Sequence, residues 1–255
     1  MMQIIQKQLV AIFLLNVTVI YAQFALPAFQ ASHKPHNYVI DMDGSNDYVL
    51  ISNNSNFEPT DFTVMAWVNL DVYQAEDYFV YRHKTWFIGF SRSGTKFEGG
   101  VRDNSGDWLY PKSSTTPSVG GGWYQVVLTF DNGSTDYAKL YINGSSEDSE
   151  SSSNHTLNSQ STEVAIGAKY NSGSSNHYNG QIDEVSFWNE ALTANEITAL
   201  YNSGSPLDAS SNSGNYTSSS GLVSYYKFNK NANSESGSYN GSASGGPTYV
   251  DMFIP

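Results

Sequence analysis

Short apolar runs, each bounded by Gly, Asn, Ser or Asp, recur along most of this chain. Within Phe62–Leu70 and Trp123–Phe130 the apolar side chains alternate at the period of two that is typical of a β-strand. Val, Ile, Phe, Tyr and Trp, which favour strands, fill these runs. The pattern predicts strands at Tyr38–Met42, Asp47–Ile51, Phe62–Leu70, Tyr78–Arg82, Trp86–Ser91, Lys96–Val101, Trp108–Tyr110, Trp123–Phe130, Tyr137–Ile142, Glu163–Ala168, Gln181–Trp188 and Leu222–Phe228.

Turn residues indicate how these strands pair. Asp131-Asn132-Gly133 and Asn143-Gly144 lie on either side of Tyr137–Ile142. Because Asn-Gly tolerates the positive φ of tight hairpin turns, two successive antiparallel pairings are expected there. Two stacked antiparallel sheets are the economical way to bury so many half-apolar strands. The chain is therefore predicted to be an all-β sandwich.

One segment instead has the spacing of a helix. Thr193 and Glu196 form the pattern of a capping box, and Gly204 lies where a helix stop is expected. The apolar positions between them are Ala194, Ile197, Leu200 and Tyr201. Residues 145–161 and 203–220 are rich in Ser, Asn and Gly and are expected to be long loops.

The N-terminus has the pattern of a targeting segment. Lys7 precedes the apolar run Leu9–Tyr21, and the small residue Ala22 follows it. The run is too short for a comfortable membrane span, so residues 1–22 are predicted to be a signal peptide. An uncleaved membrane anchor is the alternative. The mature protein is expected to be secreted or held at the cell surface, with no later membrane span.

The remainder divides into three predicted parts. Residues 23–37 are expected to be a flexible N-terminal segment, and residues 38–204 a single domain. Residues 205–255 are a Ser/Gly/Asn-rich extension that adds a strand at 222–228 if it packs back onto the domain.

Composition excludes several classes of function. The 255 residues include 12 basic and 24 acidic side chains, which give a net charge of −12 and argue against nucleic acid as a partner. The absence of cysteine excludes disulfides, thiolate zinc sites and cysteine nucleophiles. The oligomeric state is left open.

Four segments, taken together and in this order, resemble the laminin-G-like, concanavalin A-like jelly rolls of exported bacterial proteins. The segments are Ile40–Ile51, Phe62–Leu70, Trp123–Asp131 with Lys139–Gly144, and Gly180–Tyr201. Gly221–Val250 resembles a piece that commonly flanks such domains. The resemblance implies a sandwich of two curved antiparallel sheets. It leaves the function open, because this fold hosts lectins, adhesion modules, glycosidases and lyases.

No catalytic constellation is evident in the sequence. The related laminarinase-like hydrolases carry Glu-x-Asp-x-x-Glu on one strand, and this chain has no such pattern. Glu147-Asp148-Ser149-Glu150 has the wrong spacing and lies in a Ser-rich loop. Asp183 and Glu184 are adjacent, so their side chains are expected on opposite sides of a strand. His33-x-x-His36 near the mature N-terminus is expected to lie in the flexible segment.

A turn rich in oxygen ligands makes calcium the candidate cofactor. Asp43, Gly44 and Asp47 gather carboxylate and carbonyl groups around this turn, and hard cations prefer such sets. The family resemblance implies a structural calcium between the turn and Asp183. A plain Asx turn without metal is the alternative.

Carbohydrate contact is predicted for the loop before Trp108. That loop contains Asp103 and Asn104, and an aromatic ring beside polar groups suits the face of a sugar. The candidate ligand contacts are Trp108, Tyr110, Asp103, Asn104, Trp86 and Tyr178. Packing in the core is the alternative for Trp86, and ordinary surface loops for the others.

The expected function is a secreted or surface-displayed, non-catalytic carbohydrate-binding or adhesion module with a glycan partner. A polysaccharide-degrading glycosidase or lyase on the same fold is the first alternative. A structural fragment of a larger surface adhesin is the second.

Overall fold

Strands account for most of the regular structure in this chain. The computed structural model describes residues 37–133, 136–152 and 156–251. The predicted signal peptide, residues 23–36 of the predicted flexible segment and the His33/His36 pair lie outside the described residues. No helix within the described ranges is long and apolar enough to cross a membrane.

The strands are β1 (Tyr38–Asp43), β2 (Tyr48–Ile51), β3 (Phe62–Leu70), β4 (Tyr78–Arg82), β5 (Trp86–Phe90), β6 (Phe97–Arg102), β7 (Trp108–Leu109), β8 (Tyr124–Asp131), β9 (Asp136–Ile142), β10 (Ser145–Ser152), β11 (Val164–Ile166), β12 (Lys169–Tyr170), β13 (Ser174–Ser175), β14 (Asn179–Trp188), β15 (Leu222–Tyr226), β16 (Gly241–Ser244) and β17 (Thr248–Asp251). The helix is α1 (Ala194–Tyr201), and 3₁₀ turns lie at Ser55–Phe57, Asn202–Gly204 and Ser219–Gly221.

These strands form two large antiparallel sheets. Sheet A has the order β10-β9-β8-β3-β14-β1-β17, and β15 also pairs with β14. Sheet B has the order β16-β2-β11-β4-β5-β6-β7, while β12 and β13 form a small separate ribbon. The predicted all-β sandwich of two antiparallel sheets with one short helix is confirmed.

The main core lies between the two sheets. Alternate side chains of β3, from Phe62 to Val68, point into it and are fully buried. The ring of Phe62 lies 5.8 Å from that of Trp86 in sheet B, and Phe187 stacks on Trp86 at 5.3 Å. The Nε1–H of Trp86 donates a 3.0 Å hydrogen bond to the carbonyl of Phe57. Large aromatic rings therefore hold the sheets together.

A second apolar layer covers the outer face of sheet A. Ile197 and Leu200 of α1 pack with Trp188 of β14, and all three are buried. Tyr201 stacks on Trp67 of β3 with ring centroids 5.7 Å apart. Both faces of sheet A are thus buried, which explains why β3 is apolar on both sides.

A capping box fixes the start of α1, as predicted. The Thr193 side chain accepts a hydrogen bond from the Glu196 backbone N–H, and Glu196 Oε2 accepts one from the Thr193 backbone N–H at 3.0 Å. Glu196 Oε1 accepts further hydrogen bonds from Thr217 and Ser218. One carboxylate therefore ties the helix to the segment that follows it.

The segment after residue 204 contributes to both sheets. Strand β15, within the range predicted at 222–228, pairs with the second half of β14. Strand β16 pairs with β2 in sheet B and β17 pairs with β1 in sheet A, and neither was predicted. Tyr226 and Phe228 enter the main core. This segment is part of the sandwich.

The prediction of a loop from residue 145 was wrong for β10, which pairs with β9 along the edge of sheet A. Glu147, Asp148 and Glu150 accept hydrogen bonds from four backbone N–H groups of residues 110–115, at 2.6–2.8 Å. These side chains link the edge of sheet A to the chain leaving β7 in sheet B. They act as structural acceptors, not as a loose solvated cluster.

The hydrogen bonds to Glu147 also change its acidity. Burial alone favours the neutral acid, but hydrogen bonds from the side chains and backbone N–H groups of Ser114 and Thr115 outweigh burial and lower the pKa of Glu147 below its usual 4.5. Ionised Glu147 therefore stabilises the fold. That contribution is complete above the unfolded-state pKa and is lost as the pH falls through the lower, folded-state pKa.

Removing residues 221–255 should destabilise the sandwich severely. The deletion removes three strands and three buried aromatic residues, Tyr225, Tyr226 and Phe228, and burying each aromatic contributes roughly 1.5–3 kcal/mol. The melting temperature should fall by more than about 10 °C, since roughly 1 kcal/mol corresponds to about 2–4 °C in a chain of this size. Thermal melts should show little change for a control ending at Asp251. An unchanged melt for the long deletion would contradict the role given to these strands.

Glu147→Gln should lower the free energy of unfolding by about 1–3 kcal/mol at pH 7, because a half-buried carboxylate that accepts hydrogen bonds from Ser114 and Thr115 loses its charge. The difference from the natural chain should shrink as the pH falls toward 3, where the wild-type carboxyl is itself protonated. Urea titrations at several pH values measure this. Glu163→Gln is the control, as that carboxylate makes no ion pair or hydrogen bond to the described residues. Equal effects of the two substitutions at pH 7 would contradict the prediction.

Candidate ligand-binding site

The outer face of sheet B carries a cluster of aromatic rings, which we call the aromatic groove. Side chains of β4 to β7 divide between the core and the outer face, and a register shift in β4 leaves Tyr78 and Tyr81 on the outer face while Phe79 and Val80 face the core. The groove residues are Tyr78, Tyr81, Phe87, Trp108 and Tyr110. With the charged residues around them they enclose a volume of ≈130 Å³.

The rings form a floor and a rim. Tyr78, Tyr81 and Phe87 are buried and form the floor, with Tyr78 perpendicular to Phe87 at 5.0 Å and 4.9 Å from Tyr81. Trp108 and Tyr110 are half-buried and stack on each other at 5.3 Å. Phe87 lies beneath both, 5.7 Å from Trp108 and 6.2 Å from Tyr110. The two upper rings are thus held in place and partly exposed.

Glycines make room for this packing. Gly100 of β6 lies opposite Phe87 of β5 in the register of sheet B. A Cβ atom at Gly100 would lie 2.1 Å from Cε1 of Phe87. The Phe87 ring therefore lies directly on the backbone of β6, and a larger residue at position 100 would displace it.

Charged side chains surround the rings. Glu76 forms an ion pair with Arg92 at 2.9 Å, and Glu98 forms one with Lys112 at 3.1 Å. Lys169 of β12 also lines the groove. An apolar floor with polar groups at its margin suits an amphipathic ligand that presents both C–H faces and hydrogen-bonding groups.

Burial shifts the pKa values of the titratable groups in and beside the floor. Burial raises the pKa of Tyr81 to about 12, and its hydroxyl lies 3.0 Å from Nδ1 of His83. Burial, followed by the charges of three nearby basic side chains, lowers the pKa of His83. Burial also raises the pKa of Glu98, while its hydrogen bond to Lys112 opposes that shift.

Asp103 shapes the loop before Trp108. Its carboxylate accepts hydrogen bonds from Ser105 Oγ and from the backbone N–H groups of Gly106 and Asp107, at 2.7–2.8 Å. The residue is buried, with 5% of its surface exposed. Asp103 is therefore better described as a loop acceptor than as the ligand contact expected from the sequence.

Arg102 and Asn104 flank this acceptor. The Arg102 guanidinium lies 5.9 Å from the centre of the Trp108 ring, and its Nε–H donates to the carbonyl of Gly106 at 3.3 Å. Asn104 is exposed, and its backbone N–H donates to the carbonyl of Thr156. The structure thus places Trp108, Tyr110 and Arg102 together at the groove, with Asn104 on the adjoining loop.

Two other expected ligand contacts lie in the core. Trp86 and Tyr178 are both completely buried. The Tyr178 hydroxyl donates to the carbonyl of Asn69 at 2.7 Å, and its ring packs edge-on against Phe79. Both side chains lie in the main core between the sheets, so we correct their assignment to core packing.

The expected calcium ligands do not form one site. Asp43 pairs with Asn179 in the register of β1 and β14, so Asp183 lies four residues farther along the strand, about 13 Å away. The carboxylates of Asp43 and Asp47 accept hydrogen bonds from backbone N–H groups of their own turn, and Gly44 adopts φ +74° within it. In the described ranges, no group of three or more acidic or histidine side chains is positioned for a metal ion. The turn has the hydrogen bonds of an Asx turn, and calcium binding by Asp43, Gly44 and Asp47 stays a prediction.

A bulge brings two acidic side chains to the same side of β14. Glu184 and Val185 lie opposite the single residue Ala66 of β3, and Glu184 has φ 51°. Asp183 and Glu184 therefore both face outward from sheet A, and their predicted placement on opposite sides was wrong. Burial raises the pKa of Glu184 to about 7, while burial and then the charge of Glu184 raise that of Asp183. The Tyr225 hydroxyl donates to Glu184.

A larger open cleft of ≈640 Å³ lies between the end of β2 and the loop before β16. Asparagines line it, but each is used within the protein. Asn53 accepts a hydrogen bond from Arg82, Asn54 caps a 3₁₀ turn, and Asn240 accepts from the backbone N–H of Ser234. The aromatic groove is therefore the stronger candidate site.

Sequence comparison identifies a family match. The model of the concanavalin A-like lectin/glucanases superfamily matches residues 43–198, more than half of the chain. No curated protein matches the sequence.

Solved structures share the fold. A candidate carbohydrate-binding protein from Bacteroides ovatus superposes with a TM-score of 0.65 at 18% identity, over 85% of this chain and 60% of its own length. The heptameric SAP-like pentraxin of Limulus polyphemus gives a TM-score of 0.59 at 14% identity, over 86% of this chain and 97% of its own. Domain 4 of the extracellular GH43 arabinanase AbnA from Geobacillus stearothermophilus, solved with arabinotriose, gives 0.51 at 18% identity, over 64% and 76%.

Gly100→Ala should disrupt the aromatic groove. The added methyl overlaps the Phe87 ring, so the free energy of unfolding should fall by about 1–3 kcal/mol and the near-ultraviolet circular dichroism of the stacked rings should change. Gly173→Ala is the control, because an added Cβ there meets nothing within 4 Å. A Gly100→Ala chain with wild-type stability and spectrum would show that Phe87 does not lie as described.

Proposed function

This chain belongs to the concanavalin A-like lectin/glucanase superfamily, and we propose that it is a non-catalytic, carbohydrate-binding module that acts outside the cell. The aromatic groove carries the proposal. Sugar rings present apolar C–H faces that pack on aromatic side chains, while their hydroxyls hydrogen-bond to polar groups at the margin. Trp108 and Tyr110 supply the partly exposed rings, and the charged residues around them supply the polar margin.

Two structural neighbours support a glycan as the ligand. The Bacteroides ovatus protein is described as a candidate carbohydrate-binding protein, and the arabinanase domain was solved with arabinotriose. Both share the fold of this chain at 18% identity. The likeness favours a sugar as ligand, and the aromatic groove is the surface to which we assign it.

The state of the carboxylates favours binding over hydrolysis. Glycosidases commonly use two carboxyl groups that flank the scissile bond, one as acid and one as nucleophile or base. The two carboxylates that line the groove, Glu76 and Glu98, are instead engaged in ion pairs with Arg92 and Lys112.

An enzyme that degrades polysaccharides is the second candidate. The observation that favours it is the 3.0 Å contact between the Tyr81 hydroxyl and Nδ1 of His83, since two neutral groups in this arrangement can exchange a proton. Release of oligosaccharide from a bound polysaccharide distinguishes the enzyme from the binding module.

The extracellular part of the proposal comes from the sequence. The apolar segment Leu9–Tyr21 followed by Ala22 has the pattern of a cleaved signal peptide. A groove for polysaccharide is consistent with a location outside the cytoplasm.

A glycan array and polysaccharide pull-downs on residues 23–255 test the proposal. Trp108→Ala should weaken binding at least tenfold, because loss of a stacking ring of this size costs about 1.4 kcal/mol or more. Tyr137→Ala, which removes an exposed aromatic from sheet A, is the control and should bind normally. Each assay is run with calcium and with a chelator, because a calcium requirement stays a prediction.

Binding without product release, lost in Trp108→Ala, supports the proposal. Binding accompanied by release of oligosaccharide would instead support the polysaccharide-degrading enzyme. If no glycan binds under either metal condition, the carbohydrate-binding function is wrong.

A further inference from the structure

Basic side chains gather around the aromatic groove, although the chain as a whole carries 24 acidic residues against 12 basic ones. Arg92 and Lys169 line the groove, Lys112 pairs with one of its carboxylates, and Arg102 lies against the Trp108 ring. A local surplus of positive charge on an acidic protein points to the charge of the ligand.

Two of these basic groups have no acidic partner among the described residues. Arg92 and Lys112 are neutralised by Glu76 and Glu98, as described above. Arg102 and Lys169 form no ion pair with any carboxylate in the described ranges. Both carboxylates that line the groove are thus paired, and Glu150 beside Tyr110 accepts a hydrogen bond from the Tyr110 backbone N–H, whereas Arg102 and Lys169 are not held by a carboxylate.

The same basic side chains act on the pKa of His83. Besides burial, the groups that lower its pKa are Lys84, Lys169 and Arg102, and no carboxylate within the described part of the chain opposes them. The end of the groove near Tyr81, which contacts His83, is thus positively polarised.

The position of Arg102 suits recognition of an anion. Its guanidinium is held by the Trp108 ring and by the carbonyl of Gly106. A guanidinium fixed in this way loses little freedom when it binds, and its planar set of N–H donors matches a carboxylate or sulfate.

We propose that the aromatic groove selects acidic glycans, with Lys169 and Arg102 binding the anionic group of a sugar whose ring contacts Trp108 and Tyr110. This inference rests on the proposed carbohydrate-binding function and names the class of ligand. The anionic group is a uronate carboxylate or a sulfate ester, which share this chemistry.

Affinity electrophoresis and calorimetry with three polysaccharides test the inference. Polygalacturonate carries carboxylates, a sulfated galactan carries sulfates, and unsubstituted galactan is neutral. Lys169→Gln is the main variant because this side chain makes no hydrogen bond or ion pair to the described residues. Lys139→Gln in sheet A removes the same charge away from the groove and is the control. Melting curves confirm that each variant is folded.

We expect at least one acidic polysaccharide to bind about tenfold or more tightly than neutral galactan, with an affinity that falls as NaCl is raised. Lys169→Gln should lose about tenfold for the acidic polymer, since charge-assisted hydrogen bonds are among the stronger polar contacts, and should weaken binding of the neutral polymer by a clearly smaller factor. Arg102→Gln should act in the same direction. The acidic polymer that binds more tightly shows whether the groove prefers a carboxylate or a sulfate group.

The failures of the two proposals are distinguishable. If galactan binds as well as the acidic polymers, Lys169→Gln has no effect and Trp108→Ala abolishes binding, the groove binds carbohydrate but the charge selection is wrong. Equal weakening by Lys169→Gln and Lys139→Gln would also overturn the selection, because it would reflect overall charge. Binding of none of the three polymers, together with silence on the glycan array, would overturn both proposals.

Discussion

Burial of both faces of sheet A is the constraint on which the rest of this structure depends. One face packs on sheet B through rings such as Phe62, Phe187 and Trp86. Helix α1 and the segment after residue 204 cover the other face around Trp188. Because sheet A has no free face, the aromatic groove lies on the outer face of sheet B. The C-terminal strands β16 and β17 then close one edge of each sheet, so the extension and the sandwich form one unit.

The alternating pattern was sufficient to predict most strands, but it could not say which face of a strand meets the partner sheet. Trp86 and Trp108 both lie in predicted strands, yet Trp86 points into the core and Trp108 points outward. That choice is made by contacts between distant segments. Strand β10 escaped prediction because it has no apolar side chains, and non-local hydrogen bonds from its carboxylates position it. Alternation also failed at Glu184, where a bulge turns two successive side chains to one side.

The candidate site could be predicted only in part from the sequence, because contacts between distant segments also decide which aromatic rings face outward. Trp108 and Tyr110 stood out because they follow a polar loop, and the structure brings them together. Tyr78, Tyr81 and Phe87 are indistinguishable from core residues in the sequence. A signal was present in Gly99-Gly100, because two adjacent glycines in a strand mark places where side chains approach the backbone from both sides. Using that signal requires the register that pairs Phe87 with Gly100.

The most direct test of the account is an NMR titration of the chain with an acidic oligosaccharide, following the indole N–H signals of its five tryptophans. The indole N–H signal of Trp108 should shift with increasing ligand, because this ring lies at the groove. The side chains of Trp67, Trp86 and Trp188 are buried in the two apolar layers, so their signals should not shift. A titration that moves Trp188 or Trp67 and leaves Trp108 unchanged would place the ligand on sheet A and contradict the account.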